Sequence, residues 1–131
     1  MIKRFLILFP IALWMLIQYG CDDTLTAQDV DNREIPDSNV SYIEHIAPIF
    51  ELKCVSCHGS GRLEAGLDLT KWTSFVDGRI VVPGEPDNSV LAWSVEGNPA
   101  VSPMPPIPTP PLTFEQIRGV RTWISEGALN N

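Results

Sequence analysis

The most constraining feature of this 131-residue chain is a cluster of two cysteines and a histidine near its middle, Cys54-Val55-Ser56-Cys57-His58. Two thiols three positions apart at a helix end can each add to one vinyl group of the same porphyrin, and the imidazole that follows is placed to bind its iron. A chain this short buries a limited core, so a covalent cross-link to a cofactor suits it. The motif predicts one covalently attached haem c, held by Cys54 and Cys57, with His58 as the proximal iron ligand.

Three other interpretations of the cysteine pair stay open. A redox dithiol follows a strand in a βαβ unit, and no such unit is readable in this sequence. A zinc site needs four ligands, and in the body over 41–131 the only cysteine or histidine besides the motif is His45, nine positions before Cys54 on the same expected helix. A disulfide between Cys54 and Cys57 would close a loop too short to stabilise the chain much. The motif favours haem over all three.

The second axial position of the iron is assigned by elimination. Of the three methionines, Met1 and Met15 lie at the amino terminus, which leaves Met104 as the expected distal ligand. A methionine opposite a histidine raises the reduction potential and suits electron transfer. Met104 lies in a loop that holds seven of the twelve prolines, between positions 99 and 111, and prolines stiffen a loop without hydrogen bonds. The alternatives are His45 as the sixth ligand, or Met104 as an exposed residue of a linker.

The first twenty residues have the pattern of an export signal. Lys3 and Arg4 precede an apolar run from Phe5 to Ile17, which is short for a stable membrane span. Gly20 and Cys21 follow, an arrangement that resembles a bacterial lipoprotein signal, in which the cysteine is lipidated and becomes the first residue of the mature protein. The favoured prediction is a leader over 1–20 and a lipid on Cys21, with an uncleaved anchor or simple release as alternatives. Each of these places the rest of the chain outside the cytoplasmic membrane.

Charge and composition divide the remaining chain into a tether and a body. Residues 21–40 are rich in acidic side chains and poor in apolar ones, and we expect an acidic flexible tether there. The body over 41–131 is expected to be one domain. The net charge of −7 argues against nucleic acid as a partner, because a phosphate backbone binds basic surfaces.

Two helices frame the body. Ser41 and Glu44 form a capping-box pattern at the start of the first, whose apolar stripe runs from Ile43 to Cys54, although Pro48 must kink it or begin a second helix. Ser89 is expected to cap a short helix of about seven residues. A last helix starts at the Thr113 capping box and ends before Gly127; its predicted apolar face holds Phe114, Ile117, Val120 and Ile124, with Trp123 beside them. The pattern indicates an all-α fold.

The order of motifs resembles the planctomycete-type cytochrome c domain, within the class I cytochrome c superfamily. The matching segments are Pro48-Ile49, the motif 54–58, Gly66 to Leu69, Val82 to Leu91, Met104-Pro105-Pro106, Leu112 to Ile117, Trp123-Ile124 and Gly127-Ala128. The resemblance implies three to four short helices around one covalently attached haem, with the first and last helices crossing. It implies the same ligands: thioethers on Cys54 and Cys57, His58 proximal and Met104 distal.

These observations together predict a membrane-tethered electron carrier rather than an enzyme, working in the periplasm or on the cell envelope of a bacterium. The acidic surface predicts a redox partner with a basic docking patch. The alternative is a haem-based sensor or ligand-binding module in which Met104 is weakly bound or displaced.

Overall fold

The computed structural model describes residues 24–59 and 61–131, and most of the regular secondary structure in this part of the chain is helical. Its α-helices are α1 (Ala27–Asp31), α2 (Ala47–Lys53), α3 (Val90–Glu96) and α4 (Phe114–Ser125). A π-helical turn, Tyr42–Ile46, leads directly into α2, and 3-10 turns lie at Glu64–Gly66, Trp72–Ser74 and Pro86–Asn88. Two short antiparallel strands, β1 (His58–Gly59) and β2 (Arg62–Leu63), pair His58 with Leu63. The helices agree with the predicted class.

The first helical segment begins at the predicted Ser41 cap, but His45 rather than Glu44 makes the second half of the predicted capping box, and the segment changes from π-helix to α-helix just before Pro48. The Ser41 hydroxyl accepts the Glu44 N–H at 3.2 Å, while the Ser41 N–H donates to His45 Nδ1 at 3.0 Å. Pro48 lies in the first turn of α2, where a missing N–H costs nothing. Pro48 therefore opens a second helix, one of the two outcomes predicted for it.

An aromatic cluster joins the first and last helical segments at the centre of the core. Tyr42 stacks on Trp123 with ring centroids 5.5 Å apart, and Phe50 meets Trp123 edge-on at 6.5 Å. Phe75, fully buried, contacts all three of these rings. Because aromatic pairs contribute about 0.5–1.5 kcal/mol beyond their buried area, this cluster stabilises the packing of the first helical segment, the π-helical turn together with α2, on α4.

Helix α4 has the predicted caps but a rotated buried face. The Thr113 hydroxyl accepts the Gln116 N–H and the Gln116 side chain accepts the Thr113 N–H, which completes the capping box. Gly127 ends the helix at φ +100°. Phe114, predicted in the core, is 77% exposed, whereas Gln116 and Gly119 are buried. The face is rotated because α4 packs not only against the first helical segment but also against α3 and against the chain before the first helical segment.

The same reasoning fails for Ile43, which the apolar stripe places in the core and the structure leaves 64% exposed. The stripe assumes an uninterrupted α-helix of 3.6 residues per turn. Ile43 lies in a π-helical turn, in which each turn holds more residues and the faces no longer follow that period.

The predicted flexible tether is wrong from Thr26 onward, where the chain packs on the domain. Thr26 and Asp29 form a complete capping box at the start of α1. Val30 is 1% exposed and Ile35 is 6% exposed, and both belong to the core. A Cβ added at Gly119 would lie 2.7 Å from Ile35 Cγ2, so Ile35 lies directly against the backbone of α4.

Polar side chains of the body hold the backbone of this amino-terminal segment, residues 26–40. Gln116 Nε2 donates to the Val30 carbonyl at 3.2 Å, and Arg118 Nη2 donates to the Ile35 carbonyl at 3.1 Å. The Glu126 carboxylate accepts the N–H of Val40 at 2.8 Å. Amino-acid composition alone does not reveal such contacts, because the segment is ordered by a few buried apolar residues and by side chains from a helix that is distant in the sequence. The folded domain therefore starts near residue 26 rather than 41.

Candidate haem site

A cavity of about 300 Å³ lies between the end of α2, the β1–β2 ladder and the proline-rich loop that follows α3. Cys54, Cys57, His58 and Met104 all line it. Its volume lies at the lower end of the range for small-molecule sites, about 300–1,000 Å³. Two larger cavities, beside α4 and beside the amino-terminal segment, contain none of these four residues. The structure thus brings together side chains that are up to 50 positions apart in the sequence.

The backbone around His58 selects one tautomer of its ring. His58 Nδ1 lies 3.0 Å from the carbonyl oxygen of Glu64. A carbonyl oxygen only accepts, so Nδ1 carries the proton and Nε2 keeps its lone pair. This is the tautomer that binds a metal through Nε2, with the second nitrogen fixed by a backbone carbonyl. A hydrogen bond from this ring to a backbone carbonyl is one of the common arrangements around a metal-ligating histidine.

A tight fold of the chain after the motif brings the Glu64 carbonyl to His58. The Glu64 N–H donates to the Cys57 carbonyl at 3.0 Å, and the Leu69 N–H donates to the His58 carbonyl at 2.7 Å. Gly59 is needed in this fold, because a Cβ there would lie 2.6 Å from Thr70 Cγ2. The close approach at Gly59 is to a side chain of the body, not to the cavity.

The two cysteines have free thiols, and the environment of Cys54 is unsuitable for thiol redox chemistry. Burial raises the pKa of Cys54 to about 12, against a smaller lowering by the Lys53 charge. A reactive dithiol needs a lowered pKa, since the thiolate is the nucleophile. The structure therefore gives no support to the dithiol alternative.

The zinc alternative also lacks support in the part of the chain that is described. No group of three or more His, Cys, Asp or Glu side chains suited to a metal ion occurs within 24–59 and 61–131. His45, the proposed fourth ligand, is not among the cavity residues; it lines the cavity beside the amino-terminal segment. The same position counts against His45 as the sixth iron ligand.

Met104 reaches the cavity from the loop between α3 and α4. Its N–H donates to the Ser94 carbonyl at 2.8 Å, which ties the loop to α3. Its side chain is half-buried, and Pro105, Pro106 and Thr109 line the cavity beside it. The donor set around the cavity, two thiols, one imidazole nitrogen and one thioether, fits a covalently attached haem. The individual ligand roles remain predictions.

Two tryptophans and one arginine of the body, residue types that can contact a haem, are bound to other protein groups. The indole N–H of Trp72 donates to the Ala128 carbonyl and that of Trp93 to the Asp87 carbonyl, both at 2.9 Å. Neither tryptophan lines the cavity. Arg62 does line it, although its guanidinium already pairs with Glu64 at 2.8 Å.

Sequence reasoning missed Lys53 as a cavity residue. Its side chain is 6% exposed, its ammonium lies 2.6 Å from Asp31 Oδ1, and it donates to the Pro111 carbonyl at 3.2 Å. The one indication in the sequence is that this lysine directly precedes the motif, at the end of α2. Its partners are 22 and 58 positions away, so the pattern could not reveal them.

The predictions for the leader over 1–20 and for a lipid on Cys21 lie outside the described residues. Among the residues that are described, no helix has the length and apolar character needed to cross a bilayer.

A family model described as planctomycete cytochrome C matches residues 54–107, from the first cysteine of the motif to three residues beyond Met104. Neither the comparison with curated proteins nor the comparison with solved structures gives a match. The matched segment contains all four residues that line the cavity with sulfur or imidazole groups. The match and the ordered motifs point to the same family, and cytochrome c proteins are generally electron carriers that use haem. The comparison therefore supports a planctomycete-type cytochrome c domain in this chain, on the match over residues 54–107.

Proposed function

We propose that this protein is a single-haem cytochrome that carries one electron at a time between partners outside the cytoplasmic membrane, with His58 and Met104 as iron ligands. One observation supports it above the others: both cysteines, His58 and Met104 line one cavity. The His58 tautomer adds to this, because its free nitrogen is the one that binds iron. No substrate site is needed for such a role.

The four side chains that line the cavity with sulfur or imidazole groups each have a defined role in this proposal. Cys54 and Cys57 hold the cofactor through thioether bonds, and His58 Nε2 and Met104 Sδ are its two protein ligands. When bound, haem supplies a ferric–ferrous couple. The thioether favours the ferrous form and so raises the potential. The Glu64 carbonyl would fix the orientation of the His58 ring as an iron ligand.

The proposal includes a lipid on Cys21, which would hold the domain close to the membrane. Because the folded domain starts near Thr26, only four residues separate it from Cys21. Fully extended, this stretch spans at most roughly 17 Å between the two Cα atoms. We infer that the domain stays close to the membrane surface, which raises the rate of encounter with a membrane-bound partner. Metabolic labelling with a fatty acid tests the anchor, and an unlabelled wild-type protein rejects it.

The proposed redox partner has a basic docking surface. The chain carries a net charge of −7, which attracts a basic surface over a distance. At the cavity itself the ions are paired: Lys53 with Asp31 and Arg62 with Glu64. Charge thus acts mainly on the association rate, and we expect electron-transfer rates that fall as salt is raised.

The spectrum of the matured protein tests the ligand set. Ferric protein produced with a cytochrome c maturation system should show the sulfur-to-iron charge-transfer band, and the ferrous form should take up carbon monoxide slowly. Met104→Ala should lower the potential, abolish the band and admit carbon monoxide at once. A wild-type protein that lacks the band and binds carbon monoxide rapidly would instead be a ligand-binding module or sensor. An unchanged spectrum in Met104→Ala would remove Met104 from the site.

A further inference from the structure

The loop that carries Met104 has few means of being held in place. Seven of the twelve prolines of the chain lie between positions 99 and 111, and a proline has no N–H to donate. Two hydrogen bonds join this loop to distant parts of the described chain. One is the bond from the Met104 N–H to the Ser94 carbonyl, and the other is the bond from Lys53 Nζ to the Pro111 carbonyl. The first holds the middle of the loop and the second its far end.

The second bond comes from an unusual donor. Lys53 is 9% exposed, and a buried ammonium is costly unless it is paired and hydrogen-bonded. Asp31 supplies the counter-charge at 2.6 Å, and Gln116 Nε2 in turn holds Asp31 at 3.0 Å. The Lys53 side chain also lines the cavity together with Cys54 and Met104. It therefore connects the helix end before the motif to the end of the methionine loop.

We propose that Lys53, held by Asp31, is the positioning residue that keeps the Met104 loop closed over the cavity. The inference rests on the proposed function, in which Met104 is an iron ligand. Lys53 acts through the loop and does not touch the iron. Without its bond to Pro111, the end of the loop is released and Met104 competes less well with an external ligand.

Imidazole binding to the ferric holoprotein measures this competition directly. Imidazole displaces a methionine ligand, and its apparent affinity rises by the factor by which methionine binding is weakened. Loss of a hydrogen bond from a charged donor predicts roughly tenfold tighter imidazole binding in Lys53→Met, which corresponds to about 1.4 kcal/mol. The control is Lys71→Met, the same substitution at a lysine whose side chain is 71% exposed. Its imidazole affinity should equal that of the wild type.

A double variant separates positioning from stability. Lys53→Met alone leaves the Asp31 carboxylate without its counter-charge and destabilises the fold. Asp31→Asn combined with Lys53→Met leaves no unpaired charge, yet still lacks the bond to Pro111. We expect it to unfold near the wild-type midpoint and to bind imidazole about tenfold more tightly than wild type. A double variant with wild-type imidazole affinity would overturn the proposal.

Met104→Ala sets the limit of a fully open site and separates the two proposals. If Met104→Ala binds imidazole much more tightly than wild type while the double variant does not, Lys53 has no positioning role and the ligand set stands. If Met104→Ala binds imidazole no more tightly than wild type, Met104 is not a ligand and both proposals fail.

Discussion

Replacing Ile35 by alanine tests whether the amino-terminal segment belongs to the folded domain. Ile35 is 6% exposed and lies against α4 at Gly119. The change removes three buried carbon atoms, and each buried carbon contributes roughly 0.8 kcal/mol to the free energy of unfolding. A residual cavity adds to this cost, although the segment can relax at the edge of the core. We expect the free energy of unfolding of the holoprotein to fall by about 2–3 kcal/mol.

Ile43→Ala is the matched control, because the same atoms are removed from a side chain that is 64% exposed. Its cost should stay within about 0.5 kcal/mol. Both variants are compared with wild type by denaturant unfolding followed by circular dichroism, with equal slopes required. If Ile35→Ala costs no more than Ile43→Ala, residues 26–40 are not part of the core and the account of the segment is wrong.

Three further predictions concern stability. Gly119→Ala should lower the free energy of unfolding by about 1–2 kcal/mol, because the new Cβ would lie 2.7 Å from Ile35 Cγ2. In an Ile35→Ala background this loss should be smaller, and an equal loss in both backgrounds, measured by denaturant unfolding, would contradict the contact. The hydrogen bond from Lys53 holds the pKa of Asp31 below its usual 3.8. The wild-type protein should therefore be more stable than Asp31→Asn by an amount that is constant above about pH 5 and shrinks below about pH 4. A difference in stability that is unchanged near pH 2 would refute this. Ser89 is fully buried and hydrogen-bonded to backbone groups, so Ser89→Ala should lower the free energy of unfolding, measured by thermal unfolding, by about 1–3 kcal/mol. A loss of less than about 0.5 kcal/mol would refute the structural role of this hydroxyl.

Local signals predicted the helix ends well. The Thr113 cap, the seven-residue helix after Ser89 and the role of Pro48 all depend on residues within four positions of each other. Such signals act through steric limits and nearby hydrogen bonds, which the sequence displays directly. Ser89 is an instructive partial case: the helix starts where expected, but its hydroxyl bonds to the Val82–Glu85 turn and not to the helix.

Contacts between distant parts of the chain could not be predicted in this way. The tether prediction failed because Val30 and Ile35 find partners on α4, more than 80 positions later. The site shows the same division. The motif indicated His58 and elimination indicated Met104, yet Lys53 and the Glu64 carbonyl became visible only through tertiary structure.

The central claim is that Cys54 and Cys57 hold one haem through covalent bonds, and mass spectrometry tests it most directly. Trypsin cleaves after Lys53 and Arg62, so it releases one short peptide that contains the whole motif. In protein matured in a competent periplasm, this peptide should carry the mass of one haem, and Cys54→Ala should carry it through a single bond or lose it. A wild-type peptide recovered with two unmodified thiols and no haem would contradict the account.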